Sequence, residues 1–556
     1  MNITAILIIV GIIVLIFVTG ANNEKRKLAE YRENLKKNYG TKNSRLYSSD
    51  DLNAVKGYYA KHRTGFVIDD ITWNDLDMWL IYKKMNFCES QAGDEYLYYL
   101  LKNPAMDSSN FDSFERTVKA FDSDENLRLD VQMMLHNAGR TKKHSLYYYL
   151  DKLDEIQNIN LRTDILIDIL YLPAIALCFI NGLAGAAFIV CVLMASILTY
   201  FKRKNTIEPY IVCFDYIIKC IHLCEKIENV KCDALDEDIS LLKNYDSSLK
   251  SLTRMSSVAI KSLGSDPLGV ILGYIRMFTH IDIIKFKSMI NSVNDNYEAI
   301  DGINSIIGRF DCCISVGHYR KMLKDYCIPE LEENALTMNL SDAYHPLLEK
   351  PVANSLEIGR GILLTGSNAS GKSTFLKTVA VNAILAQSVH TVCARNYNAP
   401  FYRIISSLSL KDSIVGGDSY YMAEIKSIKR IIDTAKTEGR QVIGFVDEVL
   451  RGTNTTERIA ASYAILKSLH ESGAMILAAT HDLELCSIVG DIYTNYHFEE
   501  IIKENDISFP YRLCEGKANS RNAIKLLEIM GYDSDIVDAA REAAKDYEMK
   551  GSWMSV

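Results

Sequence analysis

A glycine-rich loop between an apolar run and a helical run is the feature that most constrains the fold. Residues 366–373 read GSNASGKS and fit the pattern G-x-x-x-x-G-K-[ST]. The run GILLT at 361–365 comes directly before the loop, and the run TFLKTVA at 374–380 comes directly after it. The backbone N–H groups of such a loop and the helix N-terminus together attract phosphate groups. The sequence therefore predicts an α/β domain with a phosphate-binding loop at one sheet edge.

Two further apolar runs extend the α/β pattern across residues 336–500. They read QVIGFV at 441–446 and AMILAA at 474–479, and runs that are apolar throughout are typical of parallel strands covered on both faces. Asp447 and Glu448 follow the first run, and His481 follows the second. An acidic pair can also be a solvated surface feature. The apolar run before this pair favours a position at the sheet edge that faces the loop.

These positions predict a site for ATP and Mg²⁺. Lys372 supplies a cation to the β and γ phosphates, and Ser373 and Asp447 ligate Mg²⁺. Glu448 orients and deprotonates the attacking water, and His481 senses the γ-phosphate. The residues assigned to the phosphates are Gly366, Ser367, Asn368, Ala369, Ser370, Gly371, Lys372, Ser373 and Thr374.

Two apolar segments predict contact with a membrane. Residues 3–18 carry no charge, and residues 169–201 form a longer apolar block that Asn181 and Gly182 divide. We predict an anchor at 1–20, a basic juxtamembrane linker at 21–64 and a transmembrane hairpin at 163–204, with Asp164 and Asp168 at its end, where carboxylates reach water. Lysines and arginines after each segment place the N-terminus outside the cell membrane and the rest in the cytoplasm. The alternative for the hairpin is a buried helical pair in a soluble core.

The remaining segments predict helices but do little to restrict the class of function. Residues 65–162 and 205–335 have apolar residues at helical spacing and form a helical region and a helical core or lever region. The net charge of −8 does not decide whether DNA is bound, and thirteen scattered cysteines are typical of a reducing compartment. Cys220, His222 and Cys224 lie two apart on a helix, where alternate side chains face different ways, so zinc is not expected.

Five segments resemble, in order and spacing, those of the MutS family of mismatch-repair ATPases. The resemblance covers roughly residues 343–544, and a C-terminal strand and helices at 501–556 are expected to serve dimerisation. The segments are HPLL at 345–348 with Asn354, TGSNASGKSTFLK at 365–377, SIVGGDSYYMAE at 413–424, DEVLRGTNT at 447–455, and FPYRLCEG at 509–516 with the helical runs after it.

The resemblance implies a P-loop ATPase of the ABC/MutS type that works as a homodimer and binds DNA. Ser419 matches the serine that meets the γ-phosphate of the partner subunit, although Asp418 stands where the family often has a basic residue. Phe87 and Glu89 match the letters of the family's Phe-x-Glu mismatch wedge, but within a predicted helix and without room for the N-terminal module that presents it. We therefore expect a role in mismatch repair or recombination without mismatch reading.

A different class of function stays open. An ABC-like motor, or a scaffold that does not turn ATP over, would act on a lipid or a protein partner instead of DNA. An ABC transporter would usually place its signature loop just before the acidic strand. Here Ser419 lies roughly thirty residues upstream of Asp447, which favours the MutS type.

Overall fold

The computed structural model describes residues 3–141, 143–153, 161–256, 277–333, 335–367, 370–408, 420–450, 454–503, 506–518 and 523–550. The chain divides into two compact units. The first unit comprises Met1–Thr64, Tyr82–Leu100 and Ser109–Leu323, and the second comprises Gly65–Ile81, Leu101–Ser108 and Lys324–Val556.

The first unit is helical. Most residues of the helix α14 (Tyr297–Met322) are buried, and they include the polar side chains of Asn304, Asp311 and Arg320. The helices that lie at least half in this unit are α1 (Ile3–Asn38), α2 (Ser49–Ala54), α3 (Lys56–His62), α5 (Met78–Met85), α6 (Gln91–Lys102), α7 (Phe111–Ser123), α8 (Glu125–Ala138), α9 (Leu146–Asp151), α10 (Arg162–Ile180), α11 (Gly182–Ile227), α12 (Asp236–Ser256), α13 (Ile281–Asp295) and α14 (Tyr297–Met322).

The apolar block at 169–201 forms a helical hairpin. Among the described residues, α10 and the first part of α11, Gly182–Arg203, are long and apolar enough to cross a membrane, and only 11% and 17% of them are buried. The two helices approach closely at Gly185, where a Cβ would lie 2.4 Å from the backbone nitrogen of Cys178. The exposure of this pair does not fit the alternative of a buried pair in a soluble core.

The open end of the hairpin differs from the sequence prediction. Asp164 does not reach water: it is fully buried, and its Oδ2 lies 3.5 Å from Arg203 Nε. Asp168 Oδ1 lies 2.7 Å from Nδ1 of the buried His280. Both carboxylates therefore pair with side chains of the protein, and only Asp168 keeps a partly exposed side chain, at 20%.

The Phe-x-Glu segment also differs from its prediction. Phe87 and Glu89 lie in the loop between α5 and α6 and not inside a helix. The Phe87 ring stacks on His318 at 3.4 Å between centroids, and Glu89 Oε2 accepts a hydrogen bond of 2.5 Å from Tyr31. Both side chains are thus held against the protein.

The second unit contains the predicted parallel sheet. Its order is β12-β9-β4-β8-β7-β6, and all neighbours are parallel except β12 and β9. Leu364 pairs with Ala479, which in turn pairs with Asp447, so the carboxyl ends of β4, β8 and β7 lie side by side. The strands are β4 (Ile362–Thr365), β6 (Arg403–Ser407), β7 (Val442–Asp447), β8 (Met475–Ala479), β9 (Thr494–Phe498) and β12 (Leu513–Glu515).

Helices and further strands complete this unit. A four-stranded mixed sheet, which the sequence did not predict, has the order β1-β5-β2-β3, and β10 and β11 form a hairpin. Its strands are β1 (Glu330–Leu331), β2 (Met338–Ala343), β3 (Asn354–Ile358), β5 (Asn396–Ala399), β10 (Ile501–Lys503) and β11 (Asp506–Ser508). The helices are α4 (Asp70–Asp75), α15 (Lys372–Val389), α16 (Tyr420–Glu438), α17 (Thr455–Glu471), α18 (Leu483–Ile488), α19 (Ala523–Ile529) and α20 (Ser534–Lys550).

An early segment of the chain belongs to the second unit. The sequence assigned 65–162 to a single helical region, yet Gly65–Ile81 clusters with the sheets. Asp75 Oδ2 accepts hydrogen bonds from Ser406 Oγ at 2.8 Å and from the Leu408 amide at 2.9 Å. The short helix α4 is therefore fixed to the end of β6.

Candidate active site

The glycine-rich loop connects β4 to α15 as predicted. Gly371 has φ of +106°, and α15 begins at the next residue, Lys372. Only glycine adopts this φ without strain, and a Cβ here would lie 3.0 Å from Tyr511 Cδ1. The free N–H groups of the first turn of α15 therefore open toward the loop. Asn368 and Ala369 lie outside the described residues.

Lys372 lies at the centre of the loop. Its side chain is buried, and Nζ donates to the carbonyl oxygens of Gly366 at 2.7 Å and Ser367 at 2.9 Å. Ser370 Oγ donates to the same Ser367 carbonyl at 2.8 Å. These bonds hold the loop curled around the ammonium group, and they place a positive charge where phosphate oxygens would bind.

Ser373 and Asp447 meet as the sequence predicted. Ser373 Oγ, in the first turn of α15, donates to Asp447 Oδ2, at the end of β7, over 2.5 Å. A hydroxyl and a carboxylate oxygen are both ligands that Mg²⁺ prefers. Their convergence fits a shared Mg²⁺ site, in which both oxygens would bind the ion.

Glu448 and His481 form a second pair beside the loop. Glu448 has φ of +62°, and its amide donates to the Ala479 carbonyl at 3.0 Å, which fixes the turn after β7. Glu448 Oε1 lies 2.9 Å from His481 Nε2, and that nitrogen lies 3.5 Å from Lys372 Nζ. An acid, an imidazole and an ammonium group thus lie in one row across the ends of three strands.

Arg458 and Asp482 support this row from the next helix. Arg458 Nε and Nη2, on α17, donate to the two oxygens of Asp482 at 2.9 and 2.6 Å. This pairing raises the pKa of Arg458 above its ordinary value. Since Asp482 directly follows His481, the bidentate bond restricts the backbone that carries the imidazole.

A cavity of about 390 Å³ opens beside the first turn of α15. Its volume lies in the usual range of small-molecule sites. Asn354 is part of its wall: Nδ2 donates to the Tyr511 carbonyl at 3.0 Å, and Oδ1 accepts from the Leu513 amide at 2.8 Å. Beyond the loop, the wall includes His345, Leu348, Val352, Asn354, Phe498 and Tyr511.

The sequence did not assign this cavity, although HPLL, Asn354 and FPYRLCEG all stood in the resembling segments. Glu500 was also missed, and its Oε2 accepts a hydrogen bond of 2.5 Å from Ser367 Oγ. Ser419, the predicted contact to a partner subunit, lies outside the described residues, as do residues 451–453. Cys220 and Cys224 are buried while His222 is exposed, so these three side chains do not converge.

This strand, loop and helix, with the acidic end of a neighbouring strand, define an α/β domain of the ATPase type. The family model of MutS domain V matches residues 362–548. This match confirms the prediction of a MutS-type domain for those residues.

Curated relatives show the same similarity. The DNA mismatch repair protein MutS 2 of Haloarcula marismortui is 27% identical over 353 residues, which are 58% of this chain and 36% of that protein. MutS protein homolog 4 of Homo sapiens is 30% identical over 48% of this chain and 30% of its own length. DNA mismatch repair protein MutS of Natronomonas pharaonis is 31% identical over 39% of this chain and 26% of its own length. The chain thus spans only about a third of the length of these relatives.

Proposed function

We propose that this protein is a MutS-type ATPase that binds and hydrolyses ATP with Mg²⁺. The observation that carries the proposal is the row of Lys372, His481 and Glu448 beside the pair of Ser373 and Asp447. Lys372 and the loop amides would bind the phosphates, and Ser373 and Asp447 would hold Mg²⁺, which would neutralise phosphate charge there. Glu448 accepts the proton of the attacking water, and His481 donates a hydrogen bond toward the γ-phosphate.

Two substitutions separate binding from hydrolysis. Lys372→Ala removes the central cation and should abolish ATP binding, whereas Glu448→Ala should retain binding and lower kcat at least about 100-fold. Glu471→Ala, an exposed acid on α17, is the control and should change neither. Binding is measured with a fluorescent ATP analogue and turnover by phosphate release. Normal turnover by Glu448→Ala would show that Glu448 is not the general base.

We also propose that two copies complete each other's sites, with Ser419 of one copy closing the loop of the other. ATP then favours the closed dimer, and hydrolysis releases it. Mixing Lys372→Ala with Ser419→Ala tests this arrangement, because each variant alone should be inactive. When the two variants form dimers at random, half of the dimers contain one copy of each variant. Each mixed dimer has one site with both Lys372 and Ser419 and one site that lacks both, so roughly a quarter of parental activity should return. Activity that stays absent after subunit exchange would refute the shared site.

The substrate of the motor is proposed to be DNA, in a process related to mismatch repair or recombination. Support comes from the relatives, two of which are named DNA mismatch repair proteins. The test is DNA binding by the detergent-solubilised chain, with and without ATP, to duplex, mismatched and branched DNA at stated salt. Negligible retention of all three would eliminate DNA as the substrate. Equal retention of duplex and mismatched DNA would support binding without mismatch reading.

We propose that the protein is a multi-pass membrane protein with its ATPase domain in the cytoplasm. The exposed apolar hairpin of α10 and α11 supports this location, and the uncharged run at 3–18 adds a third span. The hairpin also supports the second candidate function, a motor that acts on a lipid or protein partner. Carbonate extraction of cell membranes should leave the chain in the pellet, and protease added outside intact cells should spare the ATPase domain. Release by carbonate would refute the membrane location.

A further inference from the structure

The helical unit contains a second cavity, which lies between α1, α8 and the loop before α6. Its volume is about 520 Å³, and residues of the glycine-rich loop take no part in it. We call it the α1–α8 cavity. The lining side chains on which the following argument rests are Lys42, Arg45, Phe87, Gln132, Arg140 and His318.

One wall of the α1–α8 cavity is positively charged. Arg45 donates through both terminal nitrogens to the two oxygens of Asp94 at 2.8 Å, and Arg140 Nε donates to one of the same oxygens at 2.8 Å. The Asp94 side chain is only 1% exposed, while the guanidinium side chains are 24% and 30% exposed. Two guanidinium groups therefore share one carboxylate. Lys42 adds a third positive charge to those of Arg45 and Arg140. The negative charges beside them are those of Asp94 and of Glu89, which also lines the cavity, so the wall carries more positive than negative charge.

A second wall is aromatic and uncharged. The Phe87 and His318 rings stack with an angle of 13° between their planes, and both line the cavity. Burial lowers the pKa of His318 to about 4, so its ring is neutral at physiological pH. Stacked neutral rings are suited to contact with a flat heterocycle.

Gln132 provides the observation that points to a ligand. The residue is 4% exposed and lines the cavity, and its Oε1 is buried without a hydrogen-bond partner among the described residues. Burial of a carbonyl oxygen without a hydrogen-bond donor destabilises the folded protein. An N–H donor of a bound molecule would satisfy it.

We propose that the α1–α8 cavity binds a mononucleotide-sized ligand, a planar N–H-bearing ring joined to a phosphate. The phosphate lies against Lys42, Arg45 and Arg140, and a ring N–H donates to Gln132. The volume of the cavity fits a ligand of this size. This site is separate from the proposed ATP site and gives the helical unit a ligand of its own.

Calorimetric titration of the full chain in detergent tests the proposal. The proposed ATP site is first saturated with a non-hydrolysable ATP analogue and Mg²⁺, and the probes are guanosine monophosphate, ribose 5-phosphate and inorganic phosphate. Guanosine monophosphate should bind at one site per chain, at least tenfold more tightly than ribose 5-phosphate. Gln132→Leu should weaken it at least tenfold and leave the melting temperature equal or higher, because the unpaired oxygen is gone.

A charge variant gives an independent readout. Lys42→Gln changes an exposed side chain and should weaken guanosine monophosphate about threefold to tenfold, whereas Lys37→Gln, on α1 outside the cavity, should have no effect. The proposal is overturned if guanosine monophosphate shows no saturable binding, or if ribose 5-phosphate binds equally well. It is also overturned if Gln132→Leu and Lys42→Gln both bind like the parent, or if Lys372→Ala abolishes this binding.

Discussion

Replacement of Asp75 by alanine should loosen the end of β6. The Asp75 side chain is buried, and a single oxygen, Oδ2, accepts from both Ser406 Oγ and the Leu408 amide. Alanine leaves these two donors in the protein interior without an acceptor. Each such group costs about 1–3 kcal/mol, and the Ser406 hydroxyl can rotate toward another acceptor, so we expect a loss of about 2–4 kcal/mol.

Hydrogen exchange is the appropriate assay because a chain with two units does not unfold in one step. Since about 1.4 kcal/mol corresponds to tenfold, protection of the peptide that covers residues 403–408 should fall roughly 30-fold to 700-fold. Asp75→Asn can still present an oxygen to both donors and should lose less than about tenfold. Asn74→Ala, an exposed position on α4, is the matched control and should leave protection unchanged.

Protection of 403–408 within about threefold of the parent in Asp75→Ala would refute this reasoning. That result would show that the two donors find other partners at little cost. Leu408 is the last described residue before 409–419, the segment that contains Ser419. Hydrogen exchange of a peptide that covers residues 409–419 in the same variant would test whether α4 affects the segment that we assign to the dimer contact.

Two further predictions concern other parts of the chain. Gly371→Ala places a Cβ on a residue with φ of +106° and 3.0 Å from Tyr511 Cδ1, so binding of an ATP analogue should weaken more than about tenfold in a fluorescence titration. Gly359→Ala is the control and should bind normally, because its Cβ would make an ordinary contact at 3.5 Å. Parental affinity of Gly371→Ala would contradict the loop geometry. Burial raises the pKa of Glu95 from 4.5 to about 8, so the folded state keeps a proton that the unfolded chain releases. The stability that this proton gives is complete below pH 4.5 and is lost as pH rises to 8, by up to roughly 4 kcal/mol between pH 5 and 8. Glu95→Gln should flatten this decline of the melting temperature in calorimetry, and an unchanged decline would assign it to other groups.

The sequence predicted the core of the candidate site because its residues follow local signals. Runs 441–446 and 474–479 became β7 and β8 within one residue, and a parallel sheet brings the residues after its strands to one edge. The contact of Ser373 with Asp447 and that of Glu448 with His481 follow from this rule. Gly371 was also predictable from the sequence, because a helical run follows the loop and α15 begins at the next residue.

Contacts between distant segments were not predictable in the same way. Asn354 bonds to Leu513, 159 residues away, and Asp75 bonds to Leu408, 333 residues away, and no periodicity links such positions. The loop at Phe87 was interpreted as helix because helical spacing continues on both sides of it. The second sheet was missed because its strands are short and carry polar residues such as those of β5.

Helix α11 joins the apolar hairpin to the interior of the helical unit without interruption. It has 46 residues and a length of about 70 Å, and Phe214, Tyr216 and Cys220 on its second half are buried. Pro209 lies between the two halves, and a proline within a helix is where bending costs least. If Gly182–Arg203 spans a bilayer, a change in the thickness or tension of that bilayer would bend α11 at Pro209 and reorient its second half. The protein would then respond mechanically to its lipid surroundings, through a lever that is one continuous piece of backbone.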